Sequence, residues 1–246
     1  MNEPNPFSGI KTYDNYAHIW QLTGFILLLQ VLAAVLAGIV SALGRLHLGA
    51  YEAILPALLV MGYVAWVVLD GLGVDWRAAL LEWRRRPGRD LLLALKYFSG
   101  YALLLGAMFG LLMLGYWLLG DKLAAAAQPL VEKNNVEDAA LQGLALSSRL
   151  RFILVLVSAC VVAPVVEETF FRRIVFTAIR LKKGFWPAAF WSGLLFALFH
   201  GVAAPVILPC GIYLAWVYER ERRLPVNIML HSMVNLVMVS LKVLFL

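Results

Sequence analysis

The sequence predicts an all-α, polytopic membrane protein, a transmembrane helix bundle of about seven spans with its chemistry between the last four. Three observations carry that reading. Of 246 residues, 62% are hydrophobic and 15% charged, with a mean hydropathy of +0.81, whereas about a quarter of a soluble domain is charged. Apolar runs of roughly the 20 residues that a helix needs to cross a bilayer recur along the chain. The alternation of barrel strands is absent, so a lipid-facing backbone has to close its hydrogen bonds within helices.

The runs fall near 19–43, 53–72, 91–119, 150–180, 186–203, 205–219 and 225–246. Residues 1–17 are polar, and the first run is too long for a cleavable leader, so it reads as a retained span. Pro205 and Pro209 blur the start of the sixth. The connection after the second run carries Arg77, Arg84, Arg85, Arg86, Arg89 and Lys96. The one after the third carries Asp121, Glu132, Glu137 and Asp138 against Lys122 and Lys133. The positive-inside rule places the first in the cytoplasm and the second outside, and Arg180, Lys182, Lys183, then Arg220, Arg222 and Arg223, alternate accordingly. The N-terminus is expected in the cytoplasm. The formal charge of +6 is spread over these loops and sets topology, so no nucleic-acid partner is expected.

Residues 121–149 read as a solvated extracytoplasmic connector rather than a surface helix. Cys160 and Cys210 sit inside apolar runs without metal-type spacing and read as buried thiols. The chain divides into 1–149, N-terminal helices and connector with little chemistry of their own, and 150–246, which holds the polar groups of interest. Both are parts of one membrane domain.

Within Pro164-Val-Val-Glu-Glu-Thr-Phe-Phe-Arg-Arg173 two carboxylates and two arginines interrupt a spanning run. An ionisable side chain at bilayer depth costs about 2.5–3.5 kcal/mol on insertion scales and marks a functional candidate. Spacing of four puts Glu168 and Arg172 on one helix face, whereas Glu167 is turned about 100° away. Glu168 therefore reads as a structural carboxylate and Glu167 as a chemical one. Arg173 reads as a snorkelling or surface residue, and Phe170, Phe171 and Phe196 as packing. Further along, His200 follows Phe196 by four residues, and Asn235 follows His231 by four.

Depth decides whether these groups can meet. If the fourth helix continues to about Ile179, Glu167 lies roughly 16–18 Å from the inner interface, His200 about 20 Å, His231 about 9 Å and Asn235 about 15 Å, at 1.5 Å per residue. They then share one layer, expected to open toward the cytoplasm. A lone His or Asn in a span is commonly an interhelical hydrogen-bond partner. Their convergence with a Glu-Glu pair is harder to assign to packing, because each unpaired group would destabilise the bundle.

Glu167-Glu168-x-x-x-Arg172, Phe196-x-x-x-His200 and His231-x-x-x-Asn235, in that order, resemble the three signatures of the CPBP family (CAAX protease and bacteriocin-processing, or Abi) of intramembrane proteases. The resemblance covers roughly residues 150–240, with Tyr213, Tyr218 and Leu224-Pro225 also similar. It departs at Cys210-Gly211 and Ala215, where members carry repeated glycines. It implies eight spans against the seven read here, and peptide-bond hydrolysis on a membrane-associated protein or peptide, prenylated CAAX-type or other, near the cytoplasmic face. A prokaryotic plasma membrane is the expected setting. It further implies Glu167 as general base with His200, His231 and Asn235 as donors to the oxyanion, and Glu168 and Arg172 in support. Glu167, His200 and His231 are also the ligand types of a catalytic zinc centre. The family has been described both as metalloproteases and as glutamate-dependent; the expectation adopted is that no metal is required. Two other classes use the same residues, a carrier with a Glu167–His200 proton relay and a non-catalytic peptide-binding or immunity scaffold. Nothing in the sequence specifies an oligomeric state.

Overall fold

A computed structural model describes residues 7, 10–44 and 55–244. The first two and last two residues of the predicted spans at 53–72 and 225–246 respectively, 53–54 and 245–246, lie outside the described residues. Every described element is helical. We number them α1 (Tyr16–Ala42), α2 (Leu55–Gly71), α3 (Trp76–Arg84), α4 (Pro87–Leu119), α5 (Asp121–Ser147), α6 (Arg149–Lys183), α7 (Phe185–Leu198), α8 (Ala204–Glu221) and α9 (Leu224–Leu244).

Local chemistry sets the breaks. The Asp75 side chain accepts from the amides of Arg77 and Ala78 and starts α3, which turns 107° away from α2. Pro87 opens α4, where the missing amide costs nothing. Gly184, at φ +83°, makes the tight reversal between α6 and α7. Five helices are long and apolar enough to cross a membrane, or six if α2 and α3 form one bent span. The seventh apolar segment, α7, has 14 residues. All seven predicted segments are thus helical, and no further apolar helix occurs among the described residues.

Residues 121–149 depart from expectation. They form a 27-residue helix, α5, that accommodates Pro129. Alanine, glutamine and glutamate favour helix, and Leu141 and Leu144 bury against Val155 of α6 and Val239 of α9. The connector reading missed this because three-residue spacing of two leucines is a weak signal beside the surrounding polarity.

Helix α6 is continuous to Lys183, as a shared layer requires, but it contains two π-helical stretches, Ser158–Val162 and Thr169–Phe176. Such wide turns recur at functional sites, and here they flank the two glutamates. Helices α7 and α8 cross at Gly193 and Gly211: a Cβ on Gly211 would stand 2.9 Å from the Gly193 Cα. Gly193 and Gly211 together supply this close approach, since a Cβ on either would meet the other helix's backbone at 2.9 Å.

The basic end of the bundle is tied by ion pairs. Arg223, between α8 and α9, holds the buried Asp90 of α4 bidentately at 2.7 and 2.6 Å and Glu82 of α3 at 3.0 Å. The Asp90 hydrogen bonds raise the Arg223 pKa further. Arg180 of α6 pairs with Glu219 of α8 at 3.0 Å. Arg173 is half-buried rather than exposed, its guanidinium donating to the Lys11 carbonyl beneath the N-terminal segment.

Candidate active site

The apolar run of α6 brings Glu167 and Glu168 to the bundle interior, and the neighbouring helices give them different surroundings. Glu168 is fully buried and its carboxylate is saturated. Arg172 Nε lies 3.0 Å from Oε2 and its NH2 3.4 Å from Oε1. His231 Nδ1 lies 3.0 Å from Oε1, and Asn227 donates to Oε2 at 3.2 Å. Glu167 keeps 16% of its side chain exposed, and its Oε2 is 3.8 Å from His231 Nε2. The contacts thus separate the two carboxylates as a 100° rotation implies, Glu168 pairing with Arg172 and Glu167 not, although the turn after Glu168 is π-helical.

Arg172, also fully buried, is held by more than its carboxylate. Its guanidinium lies over the Phe196 ring at 4.8 Å and reaches Ser192 Oγ at 3.5 Å, while Ser192 donates to the Phe171 carbonyl at 2.9 Å. The Phe196 ring also meets both histidines, with centroids 4.8 Å from His200 and 5.7 Å from His231. Phe196 is core packing, as expected, and it is the piece of core that both imidazoles rest on.

His200 sits just past the end of α7, where its Nδ1 lies 2.9 Å from the Phe196 carbonyl. A carbonyl only accepts, so Nδ1 carries the proton and Nε2 is the open ring nitrogen. His231 is set the same way by the Glu168 carboxylate. The Asn235 amide donates one hydrogen to the Ala159 carbonyl at 2.7 Å and keeps a second for another acceptor.

Glu167, His200 and Asn235 line one cavity of about 360 Å³, together with Met61 of α2, Ser158 of α6, Ile207 of α8 and Lys242 of α9. His231 is not part of the lining and stands behind Glu167, its Nε2 3.8 Å from Oε2. Helix α5 contributes Lys133, Asn134 and Glu137. Lys133 donates to the His200 carbonyl at 2.9 Å, and Lys242 lies 3.5 Å from Glu137 and 2.8 Å from Asp138. None of Arg180, Lys182, Lys183, Arg220, Arg222 or Arg223 lines it. The lining therefore comes from the end of the bundle away from these basic residues, whereas the sequence places the layer open toward them. The reason is geometric: His200 lies at the far end of α7 from the basic turn, and α5 folds back over it.

Among the described residues no group of three or more His, Cys, Asp or Glu side chains is gathered as a metal ion requires. His231 Nδ1 is committed to Glu168 and His200 Nδ1 to a carbonyl, which leaves each Nε2 open, the same arrangement that orients a zinc-ligating histidine. Cys160 is half-buried and Cys210 buried, both as free thiols.

Four contributors escaped the sequence reading. Asn227 was overlooked although a polar side chain in an apolar span, one turn before His231, is itself a signal. Lys133 and Glu137 fall in the stretch read as a solvated connector, and only the return of α5 brings them to the cavity beside Lys242 of α9.

Comparison with known proteins points to the same helices. Residues 149–237 match the family described as type II CAAX prenyl endopeptidase Rce1-like. Over 84 residues the chain is 32% identical to YdiL of Bacillus subtilis (strain 168), which is described as a membrane peptidase; the match covers 33% of this chain and 34% of that protein. The chain thus spans about a third of the length of that relative. No solved structure matches the chain significantly. The apolar helices and the family together make this an integral membrane protein. The resemblance read from the three motifs, to the CAAX protease family of membrane endopeptidases, is borne out over residues 149–237, the stretch that carries Glu167, His200, His231 and Asn235.

Proposed function

We propose that the protein is an intramembrane endopeptidase that hydrolyses a peptide bond of a membrane-associated protein or peptide, prenylated CAAX-type or other. The observation that carries this reading is the cavity in which an incompletely paired carboxylate, an open imidazole nitrogen and a free amide hydrogen stand together inside a spanning bundle. A cavity of this size and polarity holds water.

In the proposed reaction the Glu167 carboxylate takes a proton from a water that His200 Nε2 helps to orient. The water oxygen bonds to the scissile carbonyl carbon, and the carbonyl electron pair moves onto oxygen. Asn235 donates its free amide hydrogen to that oxyanion. His231 can donate from Nε2 only as the doubly protonated ring, since Nδ1–H is given to Glu168. Donors fixed where charge develops supply about 2.7–4 kcal/mol each. The oxyanion then collapses, the C–N bond breaks, and the proton held by Glu167 passes to the leaving amine. Glu168 and Arg172 hold the donors in place and touch no reacting atom.

We propose that no metal is required. Purified protein stripped of zinc should cleave at an undiminished rate, and loss of cleavage restored by zinc would overturn this. The function itself is tested by comparing membrane proteomes of strains carrying the wild-type and Glu167→Gln proteins. Peptides or proteins should accumulate uncut in the variant strain. Equal proteomes, with the cellular phenotype intact, would favour a binding scaffold, and solute uptake in proteoliposomes a carrier. The scissile bond is proposed to enter from the α5 end, so a thiol reagent confined to that side should label Asn134→Cys and block cleavage.

A further inference from the structure

Asn227 is fully buried on α9, and neither of the polar groups its amide hydrogens reach belongs to its own helix. One hydrogen goes to Glu168 Oε2 at 3.2 Å and the other to the Leu214 carbonyl of α8 at 2.8 Å. Its Oδ1 finds no partner. Burying an amide with an idle acceptor is unfavourable, so what the position retains is the donor side. Asn227 and His231 are four residues apart and share a face of α9, and they grip opposite oxygens of the same carboxylate: Asn227 takes Oε2 and His231 Nδ1 takes Oε1. Arg172 gives each oxygen a further contact. Arg172 stands on the same helix as Glu168 and moves with it. Asn227 is referenced instead to the α8 backbone, so it fixes the carboxylate relative to α8 and α9.

We infer that Asn227 is a positioning residue for His231, acting through Glu168. By fixing the carboxylate plane, it keeps the His231 proton on Nδ1 and the Nε2 edge turned toward Glu167, 3.8 Å away. Without it, Oε2 and the Leu214 carbonyl each lose a donor, the carboxylate can rotate about its last bond, and the imidazole is free to change tautomer or swing. The inference rests on the proposed function for its catalytic consequence and not for its structural one.

The test uses the full chain in lipid nanodiscs with ¹⁵N-labelled histidine, the His231 signals being identified by their loss in His231→Gln. Wild-type protein should show a protonated Nδ1 and an unprotonated or fast-exchanging Nε2. Asn227→Leu, which keeps the volume, should show a mixture of tautomers or broadened His231 signals, while His200 keeps its spectrum. Asn227→Ser, smaller and still polar, guards against a failure to fold; its hydroxyl cannot span both acceptors and it should behave the same way. With a substrate found by the proteome comparison, both variants should lose about tenfold or more in kcat with KM unchanged, the scale of a small misplacement at a reacting centre. Folded variants with a wild-type His231 spectrum would overturn the inference, even if they were less stable. Absence of cleavage by the wild-type protein would overturn the proposed function and leave the spectral result to decide the role of Asn227.

Discussion

The outer helices and the C-terminal bundle are both apolar enough to cross a membrane and opposite in their use of it. The most apolar stretch of α4 is 0% buried inside the protein and that of α1 6%, against 33% for the segment containing α8 and 39% for α9. Leu103 at 77% and Trp117 at 80% exposure stand for α4, where lipid is the solvent. Helix α6 lies between, 17% buried, with its glutamates turned inward. In a bilayer apolar contact is available everywhere, so hydrophobicity does not choose partners. Buried polar groups and small residues do, and here they are Glu168, Arg172, Ser192, Asn227, His231 and the Gly193–Gly211 contact.

That contrast can be broken at four places. The largest effect is expected at Glu167→Gln, which removes the proposed base from a partly open position: cleavage should fall by about 10²–10⁴-fold, while the thermal unfolding midpoint in detergent stays near wild type. A parallel fall in midpoint would show that Glu167, like its neighbour, is structural. Glu168→Leu should do the reverse. It leaves the fully buried Arg172 without a counter-charge, a loss of about 3–5 kcal/mol to be read as a lowered midpoint; a wild-type midpoint would remove the distinction between the two glutamates. Gly211→Val, placing side-chain atoms against the Gly193 backbone, should cost about 1–3 kcal/mol and weaken protease resistance of the α7–α8 pair; tolerance would mean the helices can part without loss. Leu103→Ala on the lipid face should change stability by no more than about 0.5 kcal/mol, and a larger change would assign the Leu103 face of α4 a packed partner.

Much of the site is legible in the sequence because its residues are exceptions. Glu167, Glu168, Arg172, His200, His231 and Asn235 interrupt apolar spans, and period-four spacing assigns most of them a face. Asn227 is an exception of the same kind and was equally readable. Helix α5 was not, since its few buried leucines are diluted among alanines and charges whose reading depends on what packs above them.

The sequence by itself determined that the chain is a bundle of apolar helices, that the candidate residues Glu167, His200, His231 and Asn235 interrupt its later spans, and that the two glutamates are not equivalent. Those facts follow from the price of polarity in lipid and from the pitch of a helix, both local properties. Only the tertiary structure decided that Glu168 holds His231 as well as Arg172, that both imidazoles are proton-fixed at Nδ1, and that the cavity is lined from the α5 end. These are relations between residues up to 63 positions apart or between helices whose rotation and tilt no periodicity encodes. The match of one carboxylate to donors from α6 and α9 fixes that rotation, and it exists only once the helices have packed.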